Sequence, residues 1–136
     1  DEWEALLTDD FHYWVPAGRI VGEPAEQLSY LNDNRTRVAT RIRQLKTGKR
    51  LSQLPFSPMR RIISNIEVSD LGDDEISTKA NFVIYEIAAQ STGELRVWPG
   101  HAQYRLRRVD GTLQMCAKWV ELVTAEIGQR NLTFLI

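Results

Sequence analysis

The sequence predicts an α+β domain, and three observations carry that prediction. Helix-type spacing of apolar residues is confined to the first third of the chain, strict alternation fills most of the rest, and short turns rich in Gly, Asp and Pro separate the alternating segments. At 136 residues the chain makes one domain, 1–136. A domain of that size buries roughly two thirds of its unfolded surface, enough for a core without disulfides.

Trp3, Leu6 and Leu7 read as one face of a helix already under way, so residues 1 to 8 look like the tail of a helix whose beginning is truncated. Phe11 to Pro16 is an aromatic, β-branched run that reads as a strand stopped by Pro16. From Ala25 to Lys46, Leu28, Leu31, Arg35, Val38, Ile42 and Leu45 follow a 3-4 spacing and predict an amphipathic helix. Asn32-Asp33-Asn34 offers a break in it, with Asp33 capping the second segment. Gly48 stops the helix, and Lys46 and Lys49 stand near its negative end.

Strands follow. Arg61 to Ser69 ends at the turn Leu71 to Asp74, and Ile76 to Ala88 ends at Ser91-Thr92-Gly93. Leu95 to Val109 is long, and Pro99-Gly100 predicts a bulge within it. Asp110-Gly111 is the strongest hairpin signal. Beyond it Leu113, Met115, Ala117 and Trp119 alternate with Gln114, Cys116 and Lys118, and Asn131 to Ile136 reads as a last strand.

Composition narrows function. Apolar residues make up 43% and charged residues 26%, which argues against disorder. No apolar run reaches the ~20 residues that span a bilayer. The single cysteine, Cys116, forms no internal disulfide and points to a reducing cytoplasm. Only His12, His101 and Cys116 offer nitrogen or sulfur to a metal, with no Cys-x-x-Cys or paired-histidine spacing, so neither metal nor cofactor is expected in this chain. No Gly-x-Ser-x-Gly elbow or phosphate-cradling loop is present.

Two features remain. One is charge segregation: Arg35 to Arg61 holds nine of the seventeen Lys and Arg residues and no acid. Aromatics do not interleave with these cations, so an acidic protein surface is favoured over nucleic acid. Arg35, Arg37, Arg41, Arg43, Arg60 and Arg61, with Trp98, are the candidate interface residues. Arg35 falls on the apolar stripe of its helix and requires a carboxylate or carbonyl partner. The other feature is a constellation of Asp10, His12 and Tyr13, with His101 facing it from the sheet. Inside a cavity it could supply a general base and a polarising hydroxyl, and an isomerase, dehydratase or cyclase would follow. The competing reading is that the acids terminate local structure and the aromatics pack.

Several segments, in order, carry a family resemblance: DEWEALLTDDFHYWVPA (1–17), NDNRTRVATRIRQLKTG (32–48), SPMRRIISNIEV (57–68), GHAQYRLRRVDGTLQMCAKWVEL (100–122) and NLTFLI (131–136). Together they resemble the small, or β, subunits of aromatic-ring-hydroxylating dioxygenases. The resemblance implies a cone: a strongly curved antiparallel sheet wrapped around N-terminal helices, the nuclear-transport-factor-two-like fold. It also implies an assembly of three α and three β subunits that receives electrons from a ferredoxin or reductase. The [2Fe–2S] Rieske cluster and mononuclear iron would sit in the α subunit, with no catalytic residue in this chain. One cysteine is indeed too few for a Rieske centre, which needs two.

Overall fold

The computed structural model describes residues 2–48, 54–89, 91–127, 132 and 134–136. A short helix α1 (Glu2–Ala5) leads into β1 (Leu7–Pro16), and β2 (Ser29–Asn34) runs directly into α2 (Arg35–Lys46). Four strands follow: β3 (Met59–Gly72), β4 (Glu75–Ile87), β5 (Leu95–Val109) and β6 (Thr112–Leu122), then a 3₁₀ turn at Ala125–Ile127. The strands form one curved sheet in the order β2-β1-β6-β5-β4-β3. Neighbours are antiparallel except β1 and β6, which run parallel.

The hairpins follow their turn chemistry. Asp110 and Gly111 both take positive φ, 48° and 78°, as a two-residue turn matched to strand twist demands. Asp73 and Asp74 do the same, at 51° and 60°, between β3 and β4.

Three local expectations are corrected. The helix does not begin near Ala25, because residues 29–34 are the strand β2, paired antiparallel with β1. Leu31 and Asp33 are buried while Tyr30, Asn32 and Asn34 are exposed, a period of two overlying the period of 3.6 in the sequence. Asn34, not Asp33, caps α2: its side chain accepts the Arg37 N–H at 3.0 Å. Second, Pro99-Gly100 makes no bulge, since Val83↔Pro99 and Phe82↔Gly100 continue an unbroken register. Gly100 is instead required by a close approach. A Cβ there would stand 2.4 Å from the Phe82 ring and 2.8 Å from the Glu121 carbonyl oxygen. The irregularity lies between Arg105 and Leu106, opposite Cys116. Third, residues 132 and 134–136 form no strand but fold into the concave face, while Asn131 and Thr133 lie outside the described residues, as do Lys49 and Arg50.

The core lies on that concave face. Phe11, Tyr13 and Val15 of β1, Val38 of α2, Phe82 and Ile84 of β4, Trp98 and Ala102 of β5 and Val120 and Leu122 of β6 bury together with Ile136.

Candidate functional site

Strand alternation divides the Asp10–Tyr13 constellation at once. Tyr13 points into the core, whereas Asp10 and His12 belong to the opposite, convex face. There Asp10 accepts two hydrogen bonds from one Arg107 nitrogen, at 3.1 and 2.9 Å, and Arg107 Nε donates to Glu75 at 2.9 Å. The Thr8 hydroxyl and then the Arg107 guanidinium hold the Asp10 carboxyl below its ordinary value. His12 Nε2 lies 2.8 Å from Asn32 Oδ1, and the Trp119 indole donates to its Nδ1 at 3.3 Å. His101, on β5, is bonded to Asn81 at 3.1 Å, and β6 separates its strand from β1. The four side chains therefore do not converge on a common cavity, and the acid–base reading of them is overturned. Among the described residues, no group of three or more His, Cys, Asp or Glu side chains is placed to hold a metal ion.

Around Tyr13 and Trp98 the concave face is packed. The Phe134 ring meets Trp98 edge-on at 5.6 Å, and the Ile136 N–H donates to the Tyr13 hydroxyl at 3.2 Å. Burial drives the Tyr13 hydroxyl well above its ordinary pKa, so it stays neutral and serves as a structural donor and acceptor. Trp98 was expected at an interface. It is only 4% exposed and its indole donates to Glu86 at 2.9 Å, because it lies opposite Ile84 on the inward side of the sheet. Cys116 is buried, and burial raises its pKa, so it is not a reactive thiolate.

The arginines separate into two sets. Arg35 pairs with Asp9, which supplies the carboxylate its place on the helix required, and Arg41 pairs with buried Asp33. Arg37 and Arg43 are exposed on α2. Arg60 and Arg61 fall on opposite faces of β3, with Arg60 outward opposite Tyr85 and Arg61 inward opposite Ile84. They do not make one patch.

Two features escaped the sequence reading. One is Lys118, buried on the concave face. The other is the edge position of β3: the strand read at Arg61 to Ser69 is exposed along its entire length, with Ile62, Ile63, Ile66, Val68 and Leu71 each at least 49% accessible.

A sequence profile of the family described as ring hydroxylating beta subunit matches residues 1–129. The chain belongs to that family. It is 30% identical over 119 residues to the small oxygenase component of the p-cumate 2,3-dioxygenase system of Pseudomonas putida, covering 86% of this chain and 64% of that protein. It is 29% identical to the β subunit of a Pseudomonas putida benzene 1,2-dioxygenase, over 98% of this chain and 76% of the relative. Among solved structures, the fold matches the β subunit of benzoate 1,2-dioxygenase from Burkholderia mallei with a TM-score of 0.72 at 17% identity, covering 95% and 80% of the two chains. A scytalone dehydratase-like protein from Novosphingobium aromaticivorans shares the fold at a TM-score of 0.65 and 12% identity, covering 90% of this chain and 69% of that one. Family membership and the placing of these side chains on opposite faces of the sheet agree, and both run against an enzyme built around Asp10, His12 and Tyr13.

Proposed function

We propose that this chain is the assembly subunit of the terminal oxygenase in a ring-hydroxylating dioxygenase of aromatic-compound breakdown. Catalysis then resides in a partner α subunit. The observation that carries the reading is β3: fourteen residues of edge strand, exposed throughout and rich in Ile and Val. An edge this long and apolar invites pairing or packing with another chain, and single chains usually blunt such edges. The exposed cations Arg37, Arg43 and Arg60 add a surface for acidic neighbours. Arg35 and Arg41, held by Asp9 and Asp33, would stiffen α2 beside it.

The donor set of this chain does not fit a Rieske cluster or a mononuclear iron. It has one cysteine, and its two histidines are bonded to asparagines on separate strands. Both centres therefore belong to the α chain in this reading, with three α and three β subunits per particle. Electrons arrive from a ferredoxin or reductase, and the location is the cytoplasm. Among the described residues, no helix is long and apolar enough to cross a membrane.

Co-expression with the α subunit tests the proposal. A particle of equal numbers of large and small chains, brown from the α-chain cluster, is expected. A small chain that purifies alone and colourless beside an abundant α subunit would overturn it. The double substitution Arg60→Glu, Ile62→Glu alters two outward residues of β3. It should weaken assembly at least about tenfold while leaving the melting temperature of the isolated chain within a few degrees. Assembly at wild-type strength would remove β3 from the interface.

A further inference from the structure

Beneath the mouth of the concave face, Trp3, Ile42, Arg61, Lys118, Leu135 and Ile136 line a cavity of about 240 Å³. Its chemistry is unusual for a domain core. The Lys118 side chain is 6% exposed, lies over the Tyr13 ring at 5.6 Å and the Tyr104 ring at 5.5 Å, and among the described residues has one hydrogen-bond acceptor, the main-chain oxygen of Ile136. An ammonium has three N–H donors. Arg61 enters from β3, and among the described residues its guanidinium makes no hydrogen bond or ion pair. No acidic side chain stands among the described lining residues. The other described lining residues bring an indole and aliphatic side chains.

Buried Lys118 and, at the exposed mouth, Arg61 face one space with no acidic side chain among its described lining residues, and the positive potential they set up there is one that an anion would relieve. We propose that this cavity is a binding site for a small organic carboxylate with a compact apolar body, its carboxylate held between Arg61 and Lys118. The guanidinium offers a fork to both oxygens, and the ammonium has donors to spare. Trp3, Ile42 and Leu135 cover the apolar body. Burial and the neighbouring Arg61 charge lower the Lys118 pKa to about 8, the direction expected of a cation lacking a counter-ion. The site is independent of assembly through β3, since Arg61 faces inward and Arg60 and Ile62 face outward.

An NMR titration of the full chain with phenylacetate, beside the neutral phenylacetamide, tests it. Saturable shifts at Tyr13, Tyr104 and Trp3 with a dissociation constant of about 1 mM or tighter are expected, with at least about tenfold weaker binding of the amide. Arg61→Gln, at an exposed edge position, should weaken phenylacetate about tenfold or more without unfolding the chain. Lys118→Gln should do the same where it folds, and Arg61→Gln alone decides where it does not. Absence of saturable shifts, equal binding of acid and amide, or an Arg61→Gln chain that binds phenylacetate as tightly as wild type would each overturn the site.

Discussion

The two edges of the sheet are built on opposite principles. At the β2–β1 edge, Phe11, Tyr13, Val15 and Leu31 are buried under α2, and the helix is tied down by Arg41–Asp33 and Arg35–Asp9. At the β3 edge nothing among the described residues covers the strand, and every residue from Met59 to Gly72 is exposed. Both edges are apolar, so composition does not distinguish them. What differs is whether the chain supplies its own cover. One edge is finished within the chain, while the other has the character of an interface.

The largest expected effect breaks that comparison most directly. Phe11 is 1% exposed and meets Trp3 edge-on at 6.1 Å, so Phe11→Ala should cost about 3–5 kcal/mol in chemical denaturation. Val68, 67% exposed on β3, should cost less than about 0.5 kcal/mol when cut to alanine in the isolated chain. If Val68→Ala proved as costly as Phe11→Ala, β3 would be covered in solution by the chain itself and the contrast would vanish.

How much of this was legible in the sequence depended on whether the signal was local. Turn chemistry at Asp110-Gly111 and alternation in residues 95–109 placed the β5–β6 hairpin correctly, because both are short-range. Residues 29–34 misled because Leu28, Leu31 and Arg35 fit a helical stripe. Their strand state is imposed by the free edge of β1, a partner distant in space that local spacing does not record. Arg60 and Arg61 read as a pair, although alternation alone sends neighbours to opposite faces. Lys118 was missed for a related reason. Gln114, Cys116 and Lys118 looked like the polar side of the last strand, yet that set continues into Val120 and Leu122, and Cys116, Lys118, Val120 and Leu122 are the buried ones. Those two apolar residues were the available signal.

A second, smaller effect sharpens the difference from within the concave face. The Lys118 pKa falls from 10.5 to about 8 on folding, through burial first and Arg61 second. An unfolded lysine then binds more protons than the folded one between about pH 8 and pH 10.5, so stability should rise with pH across that window. The groups facing this lysine are Tyr13 from β1, Tyr104 from β5 and Arg61 from β3, with the Asp33–Arg41 pair of β2 and α2 beyond Tyr13. Burial raises both tyrosines above their ordinary 10.0, and their ionisation in the unfolded chain opposes the trend above that pH. The clean interval is therefore pH 8 to 10, with a gain of up to about 3 kcal/mol. Urea midpoints across that interval should climb for the wild type and stay flat for Lys118→Met. A wild-type curve as flat as that of the variant would mean that the Lys118 pKa does not fall on folding, its charge being compensated in the folded chain.

The smallest effect concerns what joins the two edges. Across the convex face, Arg107 of β5 reaches Asp10 of β1 and Glu75 of β4, bridging over β6. The Asp10 side chain is 60% exposed and that of Arg107 36%, so solvent screens the link, and Asp10→Asn should cost under about 0.5 kcal/mol at neutral pH. The folded carboxyl lies below its ordinary 3.8, so whatever the link contributes is present above that pH and fades as the folded group takes up its proton in more acidic solution. Acid titration of wild type and Asp10→Asn should therefore give melting curves that converge below pH 4 and differ by no more than a few degrees above it. A loss of 2 kcal/mol or more would place the organising interactions of the sheet on its convex face. The concave core would then no longer explain why one edge is rigid and the other left for a partner.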